Sequence, residues 1–222
     1  MWDFIIGCHI ILVDQKDSQI TTDADSNSTK KSYNIRHTGD LVSYCVGMVV
    51  LVKPSVKLDI VSKSRYSQIF LNSISKILTN FGANVIKTRD DMVLYYFPQS
   101  VKLHRRFGFM SCLESSLTLE DERDSISLLS KKAVLPPINY KISADYGEVA
   151  VMSSSFSSNP DLIGPTVNIC AKINPMAPLN KVVIGSDLYE IVKKFGDYRF
   201  GNLGQYSIGL KNSYSTYSLK YH

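Results

Sequence analysis

The side chains that most invite chemistry in this chain meet in a short charged turn, Arg89, Asp90 and Asp91, between two β-prone runs. Carboxylates accept protons and a guanidinium pairs with anions, so such a tip raises a functional question. Taken alone, it reads better as a solvated polar turn. The other reactive residues are dispersed. His9, His37, His104 and His222 show no mutual spacing for a metal site. Cys8, Cys45, Cys112 and Cys170 form no CxxC pair, and two of them lie in apolar runs where cysteine acts as a small buried hydrophobe. That usage points to a reduced, cytoplasmic setting. Lys102, His104, Arg105 and Arg106 form a compact basic cluster in a chain of formal charge +5. Without interleaved aromatics or a nucleic-acid motif it reads as solvated surface, so no nucleic-acid partner is expected.

The elements that must position these residues follow from periodicity. Residues 1–13 are apolar but contain Asp3 and His9, lack a basic leader and are too short to cross a bilayer. They read as a first strand or packing segment, and no membrane span is expected. Residues 13–41 are polar and rich in Ser, Thr, Asp and Lys, which marks a linker. The chain is therefore divided into an N-terminal extension, 1–40, and a folded domain, 41–222. Residues 41–52 form a valine-rich apolar run stopped by Lys53 and Pro54, as a buried strand would be. Apolar residues at spacings of three and four over 66–81, followed by Gly82, predict an amphipathic helix. Residues 84–88 and 92–97 predict a hairpin whose tip is the charged turn.

A helix is expected over 109–131, ended by Pro136 and Pro137. A strand over 140–152 is expected to break at Tyr146 and Gly147, and the serine-rich 153–160 to form a loop. A helix at 167–173, a strand at 181–184, a short helix at 187–195 and a hairpin over 206–219 complete the pattern. No GxGxxG or P-loop interrupts it, so an α/β sandwich with helices against a mixed sheet is expected.

Four ordered strings carry a more specific likeness. FGANVIKTRDDMVLYYF, YKISADYGEVAV, PDLIGPTVNICAKINPMAP and KVVIGSDLYEIV resemble, in order and spacing, the hairpin, strand, Asn-containing helix and following strand–helix of class III adenylate and guanylate cyclase domains. The resemblance covers roughly 44–221 and looks closest to the cyclase-like proteins of ammonia-oxidising archaea. It implies a ferredoxin-like class III cyclase fold, with a mixed, mostly antiparallel sheet. It also implies signalling chemistry: ATP is converted to cyclic AMP and pyrophosphate at an interface between two head-to-tail subunits, with magnesium or manganese held by two aspartates.

Carried over position by position, the resemblance makes Lys87 and Asp161 the adenine-reading pair, which favours ATP over GTP. Asn168 becomes the ribose-orienting residue. Lys172 stands in for the family's transition-state arginine, keeping charge but losing the bidentate fork. Lys211 lies two residues from the position of the triphosphate-binding lysine. Asp91 matches the second metal aspartate, while Asp90 replaces the glycine before it. The first metal aspartate falls on Val50, and valine cannot ligate a cation. A slipped register would offer Asp59 instead, beyond Pro54, as a second choice.

The purine-reading set survives while the metal pair is broken, a division that resembles mammalian membrane cyclases. The chain is thus expected to act as the base-reading half of a homodimeric or heterodimeric site, beside an intact cyclase subunit. The alternative is an inactive pseudo-cyclase that binds nucleotide or dimerises as a regulator.

Overall fold

The computed structural model describes residues 41–89, 91–104, 106–154, 157–208 and 212–222, and gives the backbone alone at 87–89, 153–154, 157–160, 208 and 212. The expected extension with Cys8, His9 and His37 lies outside the described residues, as do Asp90 and Lys211.

The apolar run 41–52 becomes β1 (Val42–Leu51), paired antiparallel with strands on both sides. Its residues alternate between two cores: Cys45, Val49 and Leu51 face one, Val46, Met48 and Val50 the other. Because both faces are covered, the strand reads as a continuous apolar run instead of an alternating one. Helix α1 (Ile60–Asn80) follows, starting six residues before the expected position. Asp59 caps it, and Tyr66, Phe70, Ile74 and Leu78 bury one stripe against the sheet. Gly82, at φ 82°, turns the chain out of the helix, a conformation that costs glycine little.

The hairpin forms as expected, β2 (Asn84–Arg89) and β3 (Met92–Phe97). The single helix expected over 109–131 is instead two, α2 (Arg106–Asp121) and α3 (Arg123–Lys132), separated at Glu122. Strand β4 (Tyr140–Ser154) does not break at Gly147. That glycine answers a close approach instead, since a Cβ there would lie 2.6 Å from Thr166 Oγ1. The segment read as a serine-rich loop supplies β5 (Ser157–Ile163), which folds back antiparallel on the end of β4. Helix α4 (Pro165–Ile173), β6 (Val182–Gly185) and α5 (Ser186–Val192) match the expected order. The final hairpin begins eight residues earlier than expected, as β7 (Tyr198–Ile208) with β8 (Asn212–Tyr221).

The sheet order is β2-β3-β1-β4-β6-β8-β7, with β5 attached to β4. All pairs are antiparallel except β4 with β6. Up to β4 the order of elements is the split βαββαβ of ferredoxin-like domains. Helices α1, α2, α3 and α5 pack on one face and bury the larger core. Helix α4 lies on the opposite face, over Val46, Met48 and Leu162.

Polar ties fix α4 there. Ser143 Oγ donates to the Cys170 carbonyl at 2.9 Å, and Cys170 Sγ to the Val46 carbonyl at 3.4 Å. Just past the helix, buried Asn174 donates to Ser143 Oγ and to the Lys141 carbonyl, each at 3.1 Å. Gly164, at φ 157°, starts the helix close against β4: a Cβ there would lie 2.6 Å from the Glu148 carbonyl.

Candidate functional site

The end of the β2–β3 hairpin and Val50 meet at one end of the sheet. Val50 pairs with Met92 on β3 and Lys141 on β4, and the Leu51 amide donates to the Asp91 carbonyl at 2.8 Å. The backbone of position 50 is therefore beside Asp91, as the expected register requires. Val50 itself lies with Met48 and Met92 at the rim of an apolar cluster. Asp91 is exposed and lines a groove of about 640 Å³ together with Lys53, Lys63 and Tyr66.

Asp59 has a different task. Its carboxylate accepts from the Ser62 amide at 2.9 Å and the Ser62 hydroxyl at 2.7 Å, which holds its pKa below the usual carboxylate range. It caps α1 from the N-cap position, where aspartate is favoured. Among the described residues, no three His, Cys, Asp or Glu side chains gather as a metal would require.

The other expected residues belong to elements that come together elsewhere, on the face that carries α4. β2 and β5 run in contact, and Ile86 and Leu162 share one apolar cluster. Lys87 follows Ile86 and Asp161 precedes Leu162, so the two positions occupy neighbouring strands. Asp161 is half-buried, and its Oδ1 accepts from the Leu162 amide at 3.0 Å. On α4, Asn168 and Lys172 are exposed. Four residues apart, they share one side of the helix, while Cys170 and Ile173 bury the other.

Two groups near this face escaped the sequence reading. Lys141 lies directly across from Val50, and its Nζ donates to the Pro175 carbonyl at 2.6 Å. Asp145, in the middle of β4, is fully buried. It accepts from the Leu188 amide at 3.0 Å and from the Tyr214 hydroxyl at 2.6 Å, which itself accepts from the Asp187 amide at 3.1 Å. Burial pushes its carboxyl up to about 6 despite those bonds. A lone carboxylate inside a β-prone run was the available signal, since such a group needs partners when buried. The basic cluster also has a local explanation in part, because the Arg106 guanidinium stacks 4.2 Å above the Phe195 ring.

This architecture is that of the class III nucleotide cyclase domains. The chain is similar in structure to the adenylyl cyclase CyaB from P. aeruginosa, with a TM-score of 0.71 at 14% identity over 82% of this chain and 95% of that one. The guanylate cyclase domain of RhGC from Catenaria anguillulae, in complex with GTP, gives 0.64 at 18% identity over 82% and 97%. A dimeric guanylyl cyclase domain of the RhoGC fusion protein from Blastocladiella emersonii gives 0.66 at 14% over 82% and 96%. At these identities the likeness is one of fold. No protein-family model matches the chain, and no curated protein matches it in sequence. No helix among the described residues is long and apolar enough to cross a membrane.

The donor set of the described residues does not fit a pair of divalent cations. Asp91 offers one carboxylate, while position 50 offers a methyl-bearing side chain beside two methionines. Hard cations require oxygen ligands.

Proposed function

We propose that this chain is a nucleotide-reading cyclase domain, recognising ATP through Lys87 and Asp161 and supplying Asn168 and Lys172 to a site shared with a second subunit. One observation carries the reading: the strands bearing Lys87 and Asp161 touch, and Asn168 and Lys172 share an exposed helix side, whereas the position beside Asp91 is apolar. Within such a site Lys87 would donate to the purine edge and Asp161 accept from its amino group. Asn168 would hold the ribose, and Lys172 would face the charge that develops on the α-phosphate. Lys211 belongs to the same set on the strength of its position in the sequence. Magnesium or manganese, where catalysis occurs, would be held mainly by an intact partner's carboxylates, with Asp91 as this chain's own donor and Asp90 beside it in sequence.

The division between extension and domain at residue 40, the archaeal affinity and a cytoplasmic setting belong to the same reading. Reduced Cys45, Cys112 and Cys170, all buried, are compatible with that setting. The second reading, an inactive regulatory pseudo-cyclase, draws support from Val50. Calorimetric titration tests nucleotide recognition directly. ATP is expected to bind the wild type, and Lys87→Ala or Asp161→Ala to weaken it at least about tenfold. Equal binding by all three proteins would remove the assigned readers.

A further inference from the structure

We infer, on the basis of that nucleotide-reading function, that this chain neutralises the phosphates of its bound nucleotide with lysine charge instead of a divalent cation, Lys141 beside Val50 standing in for the cation. The position across from Val50 on β4 is Lys141, and directly opposed residues in an antiparallel pair share a sheet face. Its stem therefore runs beside the apolar patch of Val50, Met48 and Met92. Its ammonium is held by the Pro175 carbonyl at 2.6 Å, just beyond the last turn of α4, which also carries Lys172.

An ammonium has three N–H donors. The carbonyl uses one of them, leaving two for anionic oxygens. The groove of Asp91, Lys53 and Lys63 is a separate one, lined by Leu51 and Tyr66 of the other core. A phosphate chain placed beside Val50 meets the Lys141 ammonium, whereas a divalent cation there meets methyl groups. Lysine is a compact point charge well suited to phosphate oxygens.

ATP titration of the purified chain, once in EDTA and once in excess magnesium, tests the inference. Affinities are expected to agree within about threefold. Lys141→Met keeps the stem and removes the charge, and should weaken binding in EDTA about tenfold, with Lys141→Arg restoring it. Val50→Asp should make binding cation-dependent, weaker in EDTA and recovered in magnesium. ATP binding seen in magnesium alone would overturn the role of lysine and leave nucleotide reading intact. Absence of binding in both conditions would remove both. Unchanged binding by Lys141→Met, with a wild-type melting curve showing it folded, would also overturn the inference.

Discussion

The face that carries α4 has two ends of opposite character. At the β1–β3 end, Val50 sits beside Met48 and Met92, and the neighbouring carboxylate of Asp91 is left to solvent and a lysine-lined groove. At the β2–β5 and α4 end lie the positions of Lys87, Asp161, Asn168 and Lys172, on strands and a helix side that meet the same apolar cluster. The difference teaches that the scaffold and a carboxylate at position 50 are separable. A valine there satisfies β1 packing by itself, and exchanging a charged group in a packed site for an apolar one is often neutral or stabilising. The ties that position Asn168 and Lys172, by contrast, are hydrogen bonds of Ser143, Cys170 and Asn174.

The largest effect expected concerns chemistry. Incubated alone with ATP and manganese, the chain should form cyclic AMP at least about 10³-fold more slowly than an intact cyclase domain. Val50→Asp should raise that rate, as read by chromatography of the products, and a fast wild type would erase the contrast between the two ends.

A smaller effect separates fold from site. Asp145 binds its proton more tightly when folded, at about 6 against an ordinary value of 3.8. Its contribution therefore makes stability greatest below about pH 4 and lowers it as pH rises through about 6, by on the order of 3 kcal/mol. Urea unfolding of Asp145→Asn should show that component of the slope gone, with ATP preference unchanged. At the base-reading end, Asp161→Ala should narrow the preference for ATP over GTP by about 1 to 2 kcal/mol in paired titrations. The smallest change is expected at the cap. Asp59→Ala should lower stability slightly and leave metal dependence untouched, whereas a shift in metal dependence would restore Asp59 as a ligand.

The elements legible in the sequence were those with one dominant signal. Hairpin β2–β3 is two β-prone runs around a polar turn, and the end of α1 is marked by Gly82. The start of α1 was missed because its first turns are solvated, with Ile60 and Val61 exposed, so periodicity begins only at Tyr66. Strand β5 hid behind serines and Pro160, residues an edge strand tolerates because its outer ladder is unpaired. Gly147 looked like a break, yet its role is to let Thr166 approach β4.

For the site, the resemblance assigned Val50 and Asp91 to paired positions, and the strand register brings their backbones together. Residue strings could not find Lys141, whose significance comes from a cross-strand pairing 91 positions away in the chain, between residues 50 and 141. Asp145 was similarly silent until β8 and α5 brought Tyr214 and Leu188 to it.

The central claim is that one half of a shared site is sound and the other is not. It is tested most directly by mixing this chain with a cyclase subunit that keeps both metal carboxylates but has lost its own purine-reading pair. Each protein alone should be silent, and the mixture should form cyclic AMP, with the activity lost on Lys87→Ala or Asp161→Ala in this chain. A stable complex of the two that forms no cyclic AMP would contradict the account.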